Sequence, residues 1–180
     1  MLDDTGVGMK QWRMISSVYG RLLGGLVIAS AMCSTGCINT DPAVFVDAKI
    51  ADAMIVATDS GVAVGISGGF SLSLHLSARA SGTATVTASG FSILAADGTT
   101  TIHSPLGYTP SLPFPVSVAQ DATVEVQIGF TNKQNQLASA ALTSLCKPGG
   151  VIIQAVLDDS LRGGSFTTQT PNPVTVSGCP

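Results

Sequence analysis

Phe70-Ser71-Leu72-Ser73-Leu74-His75-Leu76-Ser77 alternates apolar and polar side chains without a break. Successive side chains of a β-strand point to opposite faces, so this spacing puts Phe70, Leu72, Leu74 and Leu76 on a buried face and Ser71, Ser73, His75 and Ser77 on a solvated one. The pattern recurs at residues 122–130, where Val124, Val126, Ile128 and Phe130 alternate with Glu125, Gln127 and Gly129. Residues 83–88 alternate as well. Asp97-Gly98 lies between two β-prone runs, which predicts a tight hairpin pairing 91–96 with 99–103.

Outward from these runs the same grammar continues. Residues 45–57 mix Phe, Val and Ile with Asp47, Lys49 and Asp52, a composition open to a helix or to one or two strands; the β-branched content and the Asp59-Ser60-Gly61 turn favour strand. Residues 62–80 read as strand broken by Gly65 and Gly68-Gly69. Four prolines, Pro105, Pro110, Pro113 and Pro115, exclude a central strand from 104–115 and make it a long connection. In 136–146, Leu137, Ala140, Ala141, Leu142 and Leu145 fall near helical spacing, ended by Lys147-Pro148-Gly149-Gly150. Residues 151–157 form an apolar run suited to a strand buried on both faces. A strand near 165–170 and a final edge strand, Val174-Thr175-Val176, complete the chain.

Composition agrees. Charged residues are 11% of the chain, against roughly 25% in ordinary globular domains, and Ser, Thr, Gly, Ala and Val dominate. The expected fold is all-β: an antiparallel sandwich of seven to eight strands over residues 43–180 with one short crossover helix, preceded by a signal peptide. These strands resemble an immunoglobulin-like or fibronectin-type sandwich in architecture. The buried Trp and inter-sheet cysteine pair of antibody domains are absent, since the sole Trp is Trp12. Lys49, Arg79, Lys133, Lys147 and Arg162 are scattered, which argues against nucleic acid as a partner.

The N-terminal region carries an address. Lys10, Arg13 and Arg21 precede an uncharged run, Leu22-Leu23-Gly24-Gly25-Leu26-Val27-Ile28-Ala29, which gives way to small residues and Ser34-Thr35-Gly36-Cys37. A basic segment, a short apolar core and a small-residue exit are the parts of a secretory signal. Asp3 and Asp4 are out of place in one, which points to Met9 or Met14 as the native start. The run is shorter than the ~20 residues of a spanning helix and is interrupted by glycines. Gly36-Cys37 resembles the lipobox of bacterial lipoproteins, although Ser34 stands where those signals usually carry Leu. The resemblance implies a signal peptide over 1–36, a diacylglycerol on Cys37 (with palmitate-type acylation), a tether over 37–42, and a place on the extracytoplasmic side of the envelope, at the outer membrane. Ala29-Ser30-Ala31 offers an alternative cut after Ala31, which would give a secreted chain. In either case Cys146 and Cys179 are natural disulfide partners, and lipidation at Cys37 leaves no odd thiol among the four cysteines.

Candidate chemistry is sparse. His75 and His103 form no H-x-H or HExxH arrangement, Gly65-Ile66-Ser67-Gly68-Gly69 is not G-x-S-x-G, and Glu125 is the only glutamate. Asp158-Asp159 lacks the alternating oxygens of a Ca²⁺ loop and is expected to pair with Arg162 or cap a turn. No catalytic residue, metal or cofactor is assigned. The expected function is a non-enzymatic structural or binding role for a membrane-anchored lipoprotein, whose partner is an envelope protein or a glycan. The proline-rich connection is its contact, through Tyr108, Leu112 and Phe114, unless these fold back onto the core. Two alternatives remain: a secreted or metal-dependent hydrolase, which needs His75, His103 and an aspartate to converge, and an assembly subunit pairing through the edge at 174–176.

Overall fold

The structure, a computed structural model, describes residues 44–59, 61, 63–132, 137–138 and 140–180. The expected signal peptide, Cys37 and the expected tether lie outside the described residues. Within them, eleven strands and one helix follow in order: β1 (Val46–Asp59), β2 (Ala63–Leu76), β3 (Ala84–Ala95), β4 (Thr101–His103), β5 (Tyr108–Pro110), β6 (Val116–Val118), β7 (Thr123–Thr131), β8 (Leu137–Ala138), α1 (Ala140–Leu145), β9 (Val151–Asp159), β10 (Gly164–Gln169) and β11 (Val176–Ser177). They make two sheets. The first runs β11-β1-β2-β7-β5, with β8 also on β2; the second runs β10-β9-β3-β4, with β6 also on β3. All pairings are antiparallel except β1 with β11.

The expected all-β sandwich with one short helix is what forms. Phe70, Leu72, Leu74 and Leu76 of β2 are buried, as are Val126, Ile128 and Phe130 of β7. They meet Val86, Phe91 and Ile93 of β3 and Ile153, Ala155 and Leu157 of β9 in one core. Phe70 and Phe91 join the two sheets edge to face at 5.4 Å. Each such fully buried side chain contributes roughly 1.5–3 kcal/mol. Strand number exceeds the expected seven to eight because several pieces of two or three residues (β4, β5, β6, β8, β11) pair along the long strands.

The glycines at 65, 68 and 69 do not break 62–80, since β2 runs through all three. Their role follows from β1. Val46, Ala48 and Ile50 face the core, and then the inward positions switch to Ile55 and Ala57. A period of two cannot change from even to odd numbers without an inserted residue. The register supplies it: Ala51 pairs with Ser71 and Met54 with Gly69, so Asp52 and Ala53 together face Phe70, a β-bulge. Asp52 takes φ of 52°, a left-handed conformation that Asp tolerates better than most residues. The bulge pushes the Met54 carbonyl against Gly68. A β-carbon there would collide with that oxygen and lie 2.7 Å from the Phe130 ring. Gly68 is therefore the relief in β2 that accepts the bulge of β1.

Other departures have local causes. Residues 83–88 and 91–95 merge into β3, with a register shift between Ala88 and Gly90. The Asp97-Gly98 hairpin forms, pairing Ile93 with His103, but through a wider loop closed by Ala95 N–H to Thr100 O at 2.8 Å. Asp97 Oδ1 accepts the Thr99 and Thr100 N–H groups at 2.8 Å each, and these bonds hold its carboxyl well below the usual carboxylate range. The helix expected over 136–146 is confined to Ala140–Leu145, because Leu137–Ala138 extend beside Val64 and Ala63 of β2.

Gly68→Ala is expected to lower unfolding free energy by at least about 2 kcal/mol in urea denaturation, since backbone on one side and a ring on the other must move. Gly90→Ala, where a β-carbon meets nothing within 4 Å, is expected to stay within about 1 kcal/mol of the parent.

Candidate functional site

The edge of the first sheet is closed by different means along its length. Near the start of β1, Thr168 Oγ1 of β10 donates to Ala48 O at 2.8 Å. Farther along, β11 lies parallel against Ile55 and Val56, and Ser177 Oγ donates to Ile55 O at 3.0 Å. Between these two closures sits the bulge. There the sheet edge opens into a cleft of about 710 Å³, with Ile50 and Ile55 on the β1 side and residues 170–175 opposite. That volume falls in the usual range of ligand pockets, about 300–1,000 Å³.

The far wall is a strap tied at several points. Thr170 N–H donates to Ile153 O at 3.0 Å, Val151 and Val174 exchange both backbone bonds, and Val176 joins β1. The strap thus passes from one sheet to the other, with Pro171 and Pro173 limiting its backbone freedom. Gly178, at φ of 77°, lies against the Ala57 carbonyl with no room for a β-carbon. One residue later Cys179 is bonded to Cys146, as expected, with Cα atoms 5.6 Å apart. This disulfide fixes the end of the strap to the segment after α1.

The lining chemistry suits binding. Asp52 is its single ionisable residue, with no nucleophile and base side by side. Met54 is 69% exposed and Val56 41%, two of the four large apolar side chains exposed among the described residues. The two lie two positions apart on β1, so both stand on its outward side beside the cleft. A smaller cavity of about 350 Å³ lies between the β3–β4 hairpin and α1, lined by Asp97, Thr100, Ser144 and Lys147 among others.

The residues singled out from sequence fall elsewhere. Tyr108 packs edge to face on Phe91 at 4.7 Å and on Phe114 at 6.4 Å, so both aromatics fold back onto the core. Leu112 remains 43% exposed. His75 stands on the outer face of the first sheet, its Nδ1 3.0 Å from Thr123 Oγ1. His103 belongs to the second sheet, and its Nε2 is buried with no hydrogen-bond partner. The two imidazoles do not share a site, and among the described residues no three His, Cys, Asp or Glu side chains cluster to hold a metal ion.

The expected pairing of Asp158 or Asp159 with Arg162 is corrected. Both aspartates belong to β9 and alternate across it. Half-buried Asp158 accepts from Ser165 Oγ at 2.5 Å and from Ser89, bonds that lower its pKa. Asp159, 2% exposed, accepts Val46 N–H and Leu161 N–H at 2.9 Å each. With those oxygens engaged, Arg162 lies over the rings of Phe166 and Phe45, at 4.5 and 5.2 Å. The turn-capping half of the expectation holds, through Leu161.

Sequence reasoning passed over the cleft. Its signal was the slip of inward positions from even to odd between Ile50 and Ile55, read there as ambiguity between helix and strand. No protein family, no curated protein and no solved structure matches this chain, so the cleft is interpreted from its own geometry.

Replacing Cys146 and Cys179 together by Ser is expected to cost about 3–4 kcal/mol of stability in denaturant melts, the chain-entropy value for a closed loop of this size, and to loosen the strap as read by faster amide exchange at 170–177. Burial also lowers the pKa of His103. The unfolded imidazole takes up a proton near its ordinary value of about 6.5 while the folded one resists, so stability is present above that pH and falls as pH drops toward the folded value. His103→Phe should flatten this slope below about pH 6.5 in melting experiments.

Proposed function

We propose that this chain is exported, lipidated at Cys37 and held on the extracytoplasmic side of a bacterial envelope, where its immunoglobulin-like sandwich serves a structural or binding role without catalysis. The observation that carries this reading is the run from Arg21 to Gly36-Cys37, a basic, apolar and small-residue order that resembles a lipoprotein signal. The Cys146–Cys179 bond supports it, because such bonds persist in oxidising compartments. It also leaves Cys37 without a competing partner once the segment bearing Cys33 is removed. The apolar run before Cys37 is shorter than the ~20 residues a spanning helix needs, so attachment in this reading is by the lipid.

A binding role is favoured over hydrolysis by the separation of His75 and His103 on different sheets and by a cleft whose lining offers one carboxylate. Assembly through the edge at 174–176 is less favoured, since Val174 and Val176 already pair within the chain, with Val151 and Ile55.

The test is the intact mass of the protein recovered from membranes of a bacterial host. The expected product begins at Cys37, carries acyl mass and gains two protons on reduction, while Cys37→Ala moves the protein out of the membrane fraction. An unacylated soluble product beginning at Met32 would replace this reading with ordinary secretion.

A further inference from the structure

We propose that the cleft at the β1 bulge docks a short segment of a partner protein that is basic and apolar at once. The proposal deepens the binding role above and does not depend on the lipid anchor.

Charge complementarity sets the sign of the partner. Asp52 is the one ionisable side chain lining the cleft and is exposed, and the ion pair nearest to it in sequence, Lys49 with Asp47 at 3.5 Å, satisfies Lys49 elsewhere. A carboxylate at the mouth of an apolar cleft favours a ligand with a lysine or arginine head and an apolar stem, since both long side chains pack their methylenes against apolar surface while the charge stays wet. Pro171, Pro173 and half-buried Val174 in the cleft, with Met54 and Val56 beside them, supply that surface.

The bulge points to a peptide as the bearer of that side chain. An inserted residue drops out of the ladder, so β2 does not use all the polar backbone at Asp52 and Ala53. Across the opening, Asn172, Thr175 and Ser177 add amide and hydroxyl groups. Donors and acceptors flanking apolar walls are what a peptide backbone requires. The edge from Ile50 to Ile55 extends about 15 Å, room for roughly four or five extended residues. The same bulge interrupts any regular ladder, so the partner is gripped mainly by its side chains, without becoming a full added strand.

The experiment uses the full chain, reconstituted in phosphatidylcholine vesicles or free in solution if it proves soluble. The probes are a fluorescein-labelled five-residue peptide of alternating leucine and lysine, and its counterpart with glutamate for lysine, read by anisotropy at low salt. The lysine peptide is expected to bind saturably and the glutamate peptide about tenfold more weakly. Asp52→Asn, which keeps a residue tolerant of the left-handed conformation, should weaken the lysine peptide by roughly 2- to 5-fold, as expected for one exposed ion pair. Met54→Ser, at a largely exposed position, should weaken both peptides without altering the melting temperature, and carries the test if Asp52→Asn does not fold. Leu112→Ser, outside the cleft, should leave affinity unchanged. Equal binding of the two peptides, wild-type affinity in both cleft variants, no saturable binding at millimolar peptide, or equal uptake by vesicles without protein would each overturn the proposal. An unacylated chain that still binds the lysine peptide would retain the site and remove the anchor; an acylated chain that ignores it would do the reverse.

Discussion

The sandwich depends on the contact of the Met54 carbonyl with Gly68. The bulge at Asp52-Ala53 shifts the inward-facing set of β1 from Val46, Ala48 and Ile50 to Ile55 and Ala57, so a single long strand serves one core with both halves. That shift requires the backbone of β1 to press into β2, and it succeeds because the residue there has no β-carbon and lies under the ring of Phe130. Without the inserted residue, a one-step slip would send the far half of β1 to the wrong face. The cleft is the outer consequence of the same event, for the bulge that corrects the phase inside also opens the edge outside.

The strap from Thr170 to Cys179 answers the opening. Two sheets with exposed edges invite pairing with other chains, and proteins blunt such edges with bulges, charges and short covering segments. All three occur along β1: the bulge with Asp52, the side-chain caps from Thr168 and Asp159, and the two residues of β11. Because the strap is anchored at Val151, at Ile55 and at Cys146, the cleft it borders is pre-organised, which reduces the ordering cost of any ligand it takes.

Low charge content shapes the rest. The carboxylates are held mainly by hydroxyls and backbone N–H groups, as at Asp97, Asp158 and Asp159, and the ion pair of Asp47 with Lys49 is on the surface. Glu125 accepts from Ser71 Oγ, which in turn accepts from Gln127 Nε2. Hydrogen bonds of this kind fix geometry without the desolvation cost of burying paired charges. The outer faces are therefore rich in hydroxyl and amide groups, with single charges such as Asp47, Lys49 and Glu125 spaced among them.

Much of this protein was legible in its residues. Alternation at 70–77 and 122–130 identified the strands and their inward residues, because side-chain direction in a strand follows sequence position, whereas Ser71 and Ser77, expected in solvent, are buried, Ser71 bonded to Glu125 and Gln127 of the neighbouring strand. The four prolines of 104–115 ruled out a central strand, and β5 formed there at the sheet edge. Cys146 and Cys179 were natural partners under either cleavage of the N-terminal segment, and they are bonded. The continuity of β2 through three glycines was hidden, since it depends on what β1 presents across the ladder, and a glycine looks the same locally whether it ends a strand or makes room for a neighbour. The cleft was hidden for the same reason. It arises where β1, β2 and the strap meet, segments more than a hundred residues apart at the extremes, and only their packing decided which apolar residues stayed in water.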